Sequence, residues 1–261
     1  MDKRTIRTTE LPPSLHRNFA RTSLLNLKGI PGYYRAKNDG DPMAAYEVVK
    51  KVMCNETGRE KMLELFSWLR NDEPVCIVPV IGAERKWSIN ALPLAYAKIL
   101  ASYYAEFTGR SMKVVDDIVK VSRPNTGLGH SFRLGNRIIY DGKIPDKNMQ
   151  YIIADDTYTF GRTVMSLMEH IVSQGGNVVL ISTLASRYTH QIRPSDELID
   201  KFRKEYRITN DKIREITGNG IEYFTAGEIC GLNLNPNRKL GPEGLRRICS
   251  KENIQGYLYE A

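Results

Sequence analysis

The chain has 261 residues, is 41% hydrophobic, 26% charged and 9% aromatic, and carries a formal net charge of +8 at pH 7. That composition is globular and excludes collagen-like, low-complexity and wholly disordered classes. No apolar run approaches the ~18 residues of a membrane span, and no charged-then-apolar leader opens the sequence, so a cytoplasmic protein with no membrane partner is expected.

Residues 1–35 hold seven basic residues (Lys3, Arg4, Arg7, Arg17, Arg21, Lys28, Arg35) against two acids, whereas residues 36–185 and 186–261 are nearly balanced. With Pro12, Pro13, Pro31, Gly29 and Gly32 and little periodicity, this segment reads as an extended basic arm. Its charge is suited to nucleic acid or an acidic regulatory protein; a solvated tail is the alternative.

Asp41-Pro42 has the form of a helix start, an acid at the cap and proline in the first helical position. Residues 43–53 and 62–69 then read as helices. Residues 75–80 (Val-Cys-Ile-Val-Pro-Val) form a short apolar run, as in a strand covered on both faces. A loop over 81–88 and a helix reaching about Phe107 follow. Further strands are predicted within 112–121 and at 151–154 and 177–185, with a short apolar piece at 138–140. Between them lie a polar loop (122–137), a second loop (155–162) and a helix (163–174) ended by Gly175-Gly176. The alternation predicts an α/β fold with a parallel sheet. Beyond Arg187 only helices are legible: Ser195 can cap 196–206, Thr225 and Glu228 have capping-box spacing, and 243–250 is a last short helix. The expected organisation is an arm over 1–35, a core over 36–186 led by helices in 41–70, and a helical appendage over 187–261.

Cys54, Cys76, Cys230 and Cys249 are scattered without a CxxC pair, and His16, His130, His170 and His190 lack metal-ligand spacing. Buried thiols are therefore expected, not zinc or a disulfide framework.

Chemistry concentrates in Tyr151-Ile-Ile-Ala-Asp155-Asp156-Thr-Tyr-Thr159-Phe160-Gly161-Arg162-Thr163. An apolar strand delivers two acids to the carboxyl edge of a sheet, where α/β folds bind ligands. A Thr/Gly loop then enters a helix whose N-terminus favours a phosphate. The acids suit sugar hydroxyls, or a metal held with them. The segment thus points to a phosphorylated sugar; a solvated turn with an acid capping the helix is the bland alternative.

This stretch resembles the phosphoribosyl-pyrophosphate (PRPP) motif of the type I phosphoribosyltransferases: apolar strand, two acids, two variable residues, Thr-Thr-Gly, one variable residue, Thr. Here Phe160 stands at the second threonine. The resemblance implies a Rossmann-like core, PRPP with Mg as ligand, and phosphoribosyl transfer to a nitrogenous acceptor with release of pyrophosphate. It puts Asp155 and Asp156 on the ribose and Mg, and Thr159, Phe160, Gly161, Arg162 and Thr163 around the 5-phosphate. Gly82, Ala83, Glu84, Arg85 and Lys86 fall where the family has its pyrophosphate loop, and Arg123, His130, Arg133 and Arg137 lie in the position of its mobile loop. Residues 119–186 look most like the competence-associated ComF-type branch, and residues 34–42 like phosphoribosyltransferase-like proteins of mobile elements, some of which accompany defence systems. Relatives that sense PRPP without turnover supply a second expectation, a defence effector a third, and frequent dimers in the family make a homodimer the prior.

Overall fold

The computed structural model describes residues 4–54, 56–85, 88–122 and 138–249. In chain order its first half contains β1 (Phe19–Ser23), α1 (Leu24–Lys28), α2 (Tyr33–Asn38), α3 (Pro42–Met53), α4 (Glu56–Phe66), β2 (Val75–Pro79), β3 (Ile81–Arg85), β4 (Ser88–Ile89), α5 (Leu92–Thr108) and β5 (Met112–Val114). The second half adds β6 (Val119–Lys120), β7 (Tyr140–Asp141), β8 (Gln150–Tyr158), α6 (Arg162–Ser173), β9 (Asn177–Ser186), α7 (Asp196–Tyr206), α8 (Asn210–Thr217), α9 (Ala226–Asn233) and α10 (Pro242–Cys249).

Five strands pair in parallel in the order β1-β9-β8-β2-β5. Side chains alternate across a strand, so Ile77, Ile152, Ala154, Leu180 and Leu184 enter an apolar layer with α3 and α5. Val78, Ile153 and Ile181 enter the opposite layer with Val164, Leu167, Met168 and Ile171 of α6. Burial on both faces is why these strands read as unbroken apolar runs. A smaller sheet runs β4-β3-β6-β7. The C-terminal helices close around their own cluster, with Ile199, Phe202, Tyr206, Ile213, Ile229, Leu232, Leu245 and Ile248 buried. No described helix is long and apolar enough to cross a membrane.

The caps form as the sequence requires. Asp41 accepts from the N–H groups of Met43 and Ala44, both at 2.9 Å, Ser195 caps α7, and Thr225 and Glu228 complete a capping box.

Several expectations change. The segment read as an arm contributes an edge strand, β1, against β9; only Phe19 and Arg21 of it are buried, so no apolar alternation announced it. Arg4 is buried against Glu228 and Arg21 beneath the sheet edge, while Arg7, Arg17 and Arg35 pair with Glu10, Glu64 and Asp41. The single strand expected within 112–121 is two, β5 in the main sheet and β6 in the small one, separated by the exposed Asp116 and Asp117. The loop expected over 81–88 contains strand β3, and Cys54 is exposed, not buried.

Candidate functional site

The topology singles out one crevice. β2 connects through α5 to β5, and β8 through α6 to β9, with α5 and α6 on opposite faces of the sheet. The crossovers diverge between the neighbours β2 and β8, and such a switch point opens a cleft at the carboxyl ends of the strands. β8 overshoots β2 there: the β2 register stops at Pro79 opposite Ala154, while the β9 register continues to Tyr158. Asp155 and Asp156 are the first residues past the end of β2, so they belong to the strand and not to the expected loop.

Adjacent strand residues face opposite layers, and the two acids divide accordingly. Asp156 lies on the side of α2 and forms an ion pair with Lys37, with Asn90 also bonded to its carboxylate. Burial opposes ionisation of Asp156, but the charge and hydrogen bond of Lys37, with Asn90, hold it below the ordinary carboxylate range. Asp155 is pushed well above that range, by burial first and by the neighbouring Asp156 charge second. Its Oδ1 accepts the backbone N–H of Asp156 at 2.8 Å. The two carboxyls offer several acceptor oxygens to the hydroxyls of a sugar, and Asp155 is the one that burial and its neighbour push toward the neutral form.

Tyr140 flanks the pair. It is buried, its hydroxyl donates to the Thr163 carbonyl at 3.2 Å, and burial together with the Asp155 charge raises its phenol well above the ordinary value. Sequence reasoning missed Lys37, Asn90 and Tyr140. Lys37 sits 119 residues from its partner and was one basic residue among many.

After Tyr158 the chain turns into α6 around Gly161, whose φ is +80°. A Cβ there would lie 2.7 Å from the Tyr158 ring, so glycine is required twice over. A cavity of about 70 Å³ sits at this turn, lined by Asp155, Thr157, Thr159, Gly161, Thr163 and neighbouring residues. Thr157 Oγ1 is buried without a hydrogen-bond partner. The N–H groups of Thr163 and Val164, in the first turn of α6, have no intrahelical acceptor. Arg162 is buried and turned to Glu169, 3.5 Å away.

Phe160, which also borders this cavity, packs its ring toward the C-terminal helices. It is buried, meets Tyr188 with ring centroids 5.6 Å apart, and packs on α9. A Cβ on Gly231 would come within 2.2 Å of the Phe160 ring, and one on Gly227 within 2.8 Å of the Thr159 carbonyl. The Phe160 carbonyl accepts from the Thr225 hydroxyl. Phenylalanine in place of the motif's threonine thus anchors the C-terminal helices to the back of the loop.

Gly82, Ala83, Glu84 and Arg85 lie in β3, Gly82 opposite Lys120. Lys86, Arg123, His130, Arg133 and Arg137 lie outside the described residues. Among the described residues no group of three or more His, Cys, Asp or Glu could hold a metal. The Asp155 and Asp156 carboxyls, with Lys37 paired to Asp156, do not build a resident metal site; they fit a Mg held chiefly by a ligand's own oxygens.

No family model matches the chain. It is similar to Protein TraN of Escherichia coli, 29% identical over 209 residues, which are 78% of this chain and 43% of that protein. The chain therefore spans less than half the length of this curated relative.

Proposed function

We propose that the chain binds PRPP at the switch point between β2 and β8 as a phosphoribosyltransferase of the type I class, passing phosphoribosyl to a nitrogenous acceptor. The observation that carries this reading is the buried pair Asp155–Asp156 just past the end of β2, immediately ahead of a glycine turn into α6. Asp155 and Asp156 hold the ribose hydroxyls through their carboxyl oxygens. Thr159, Thr163 and the first-turn N–H groups of α6 take the 5-phosphate. Mg, where bound with PRPP, supplies positive charge to the departing diphosphate. Lys37 keeps Asp156 ionised and fixed in a site from which water is largely excluded. Acceleration comes from positioning and fixed charge, since no described side chain at the pair stands as an obvious base for the acceptor.

A second reading, binding without turnover, is favoured by Phe160: the loop lacks one hydroxyl and is tied to α9. Incubating the protein with PRPP, Mg and a panel of nitrogenous bases, and following pyrophosphate, separates the two. Release that Asp155→Asn/Asp156→Asn abolishes supports transfer. PRPP binding without release under any base supports the binding protein.

A further inference from the structure

A second cavity, of about 400 Å³, opens one strand away, at the carboxyl ends of β1 and β9. Its lining includes Arg21, Lys61 and Arg187, with hydroxyls from Ser23, Ser186 and Thr189, and no carboxylate. Arg21 is the informative residue. Arg21 is 7% exposed, its Nε donates to the Tyr96 hydroxyl at 3.1 Å, and both Nη atoms are buried with no hydrogen-bond partner. Tyr96 is in turn hydrogen-bonded to Ser182 at 2.7 Å, which fixes the hydroxyl that Arg21 meets. Lys61 donates to the Arg21 carbonyl at 3.0 Å, which keeps a second cation at the rim.

An arginine buried with unsatisfied N–H groups is costly unless something else meets them, and oxyanions fit that fork well. Nearby charge is matched nowhere in the lining: Glu64, on the same helix as Lys61, is engaged by Arg17. His190, whose ring accepts or donates at Ser186 Oγ at 2.9 Å, is held below its ordinary value by burial and by Lys61, and adds no negative charge. The volume lies in the range of small-molecule pockets and exceeds what a single phosphate fills.

We infer that the cavity between Arg21, Lys61 and Arg187 is a second ligand site, taking the phosphoryl group of a phosphorylated small molecule. The inference does not depend on the reading of Asp155 and Asp156.

The test is an amide-shift titration of the full chain, labelled with nitrogen-15 and deuterated, with inorganic pyrophosphate and with adenosine 5′-monophosphate at matched ionic strength. Shifts should concentrate at residues 21–23 and 186–190, and affinity should fall at least tenfold in Lys61→Gln/Arg187→Gln, whose substitutions lie toward the surface and spare the fold. Arg21→Gln should remove binding; its amide spectrum reports whether the fold survives. Tighter binding of the monophosphate identifies a nucleotide-like ligand, and tighter binding of pyrophosphate identifies a free inorganic one. Shifts confined to residues 159–163, equal affinity in Lys61→Gln/Arg187→Gln, or no saturable shift with either probe would overturn the inference.

Discussion

Lys37 of α2 and Asp156 of β8 form an ion pair at the carboxyl edge of the sheet, the lysine side chain 17% and the aspartate 6% exposed. The pair locks the N-terminal helices onto the central strand and lets two adjacent acids share one buried place. Removing one partner of a buried pair strands the other charge and costs on the order of 3–5 kcal/mol. Asp156→Asn and Lys37→Met should each destabilise by about 3 kcal/mol, with Lys37→Met/Asp156→Asn recovering much of the loss. Urea unfolding of the four proteins checks this; additive single losses would show that the two groups are not coupled.

The neighbouring acids should respond to pH with opposite signs. Asp156 sits below 3.8 when folded, so its contribution is complete above the unfolded value and is lost as pH falls through the folded one. Asp155 sits well above 3.8, so the unfolded chain ionises first and stability falls as pH rises from 3.8 through the folded value. Asp155→Asn should therefore raise the melting temperature at pH 7.5 and Asp156→Asn lower it, the Asp155→Asn gain vanishing near pH 4. Thermal unfolding across that range decides it; a loss in Asp155→Asn at pH 7.5 contradicts the upward shift of Asp155.

The contact between Phe160 and Gly231 ties the candidate phosphate turn to the C-terminal helices. Gly231→Ala places a methyl against the ring and should cost about 1–3 kcal/mol, typical of overpacking. In a Phe160→Thr background most of that cost should disappear, a coupling that a double-mutant cycle measures. Equal costs in both backgrounds would mean that the helix, not the ring, resists the methyl.

At the other end of the chain, Arg4 meets Glu228 through two hydrogen bonds of 2.7 and 2.6 Å, and its guanidinium lies 4.5 Å from the Phe224 ring centroid. Glu228 also closes the capping box of α9. Arg4→Met should cost about 3–5 kcal/mol as a broken buried pair and loosen the C-terminal helices first. Hydrogen exchange should show faster exchange in 192–249 than in β8; uniform loss of protection across the chain would contradict a local clamp.

Sequence reading recovered what local chemistry writes directly. The apolar runs at 75–80, 151–154 and 177–185 became central strands because burial on both faces leaves no other pattern, and the caps at Asp41, Ser195 and Thr225 formed where a short oxygen side chain precedes a helix. The order β1-β9-β8-β2-β5 was not legible, since pairing between distant strands leaves no local mark. β1 was missed because a buried arginine occupies the position where an apolar residue would signal a strand. The acids of the site were found through their place after an apolar strand. Lys37 and Tyr140 were not, because their roles come from contacts across 119 and 23 residues of sequence, set only by the fold.

PRPP binding at the Asp155–Asp156 pair is tested by calorimetric titration of PRPP with Mg into the wild-type chain and into Asp155→Asn/Asp156→Asn. Saturable binding by the wild type at one site, lost in the folded double variant, is expected. Equal binding by the two proteins, or none by a folded wild type, would contradict it and leave the Asp155–Asp156 pair as part of the scaffold.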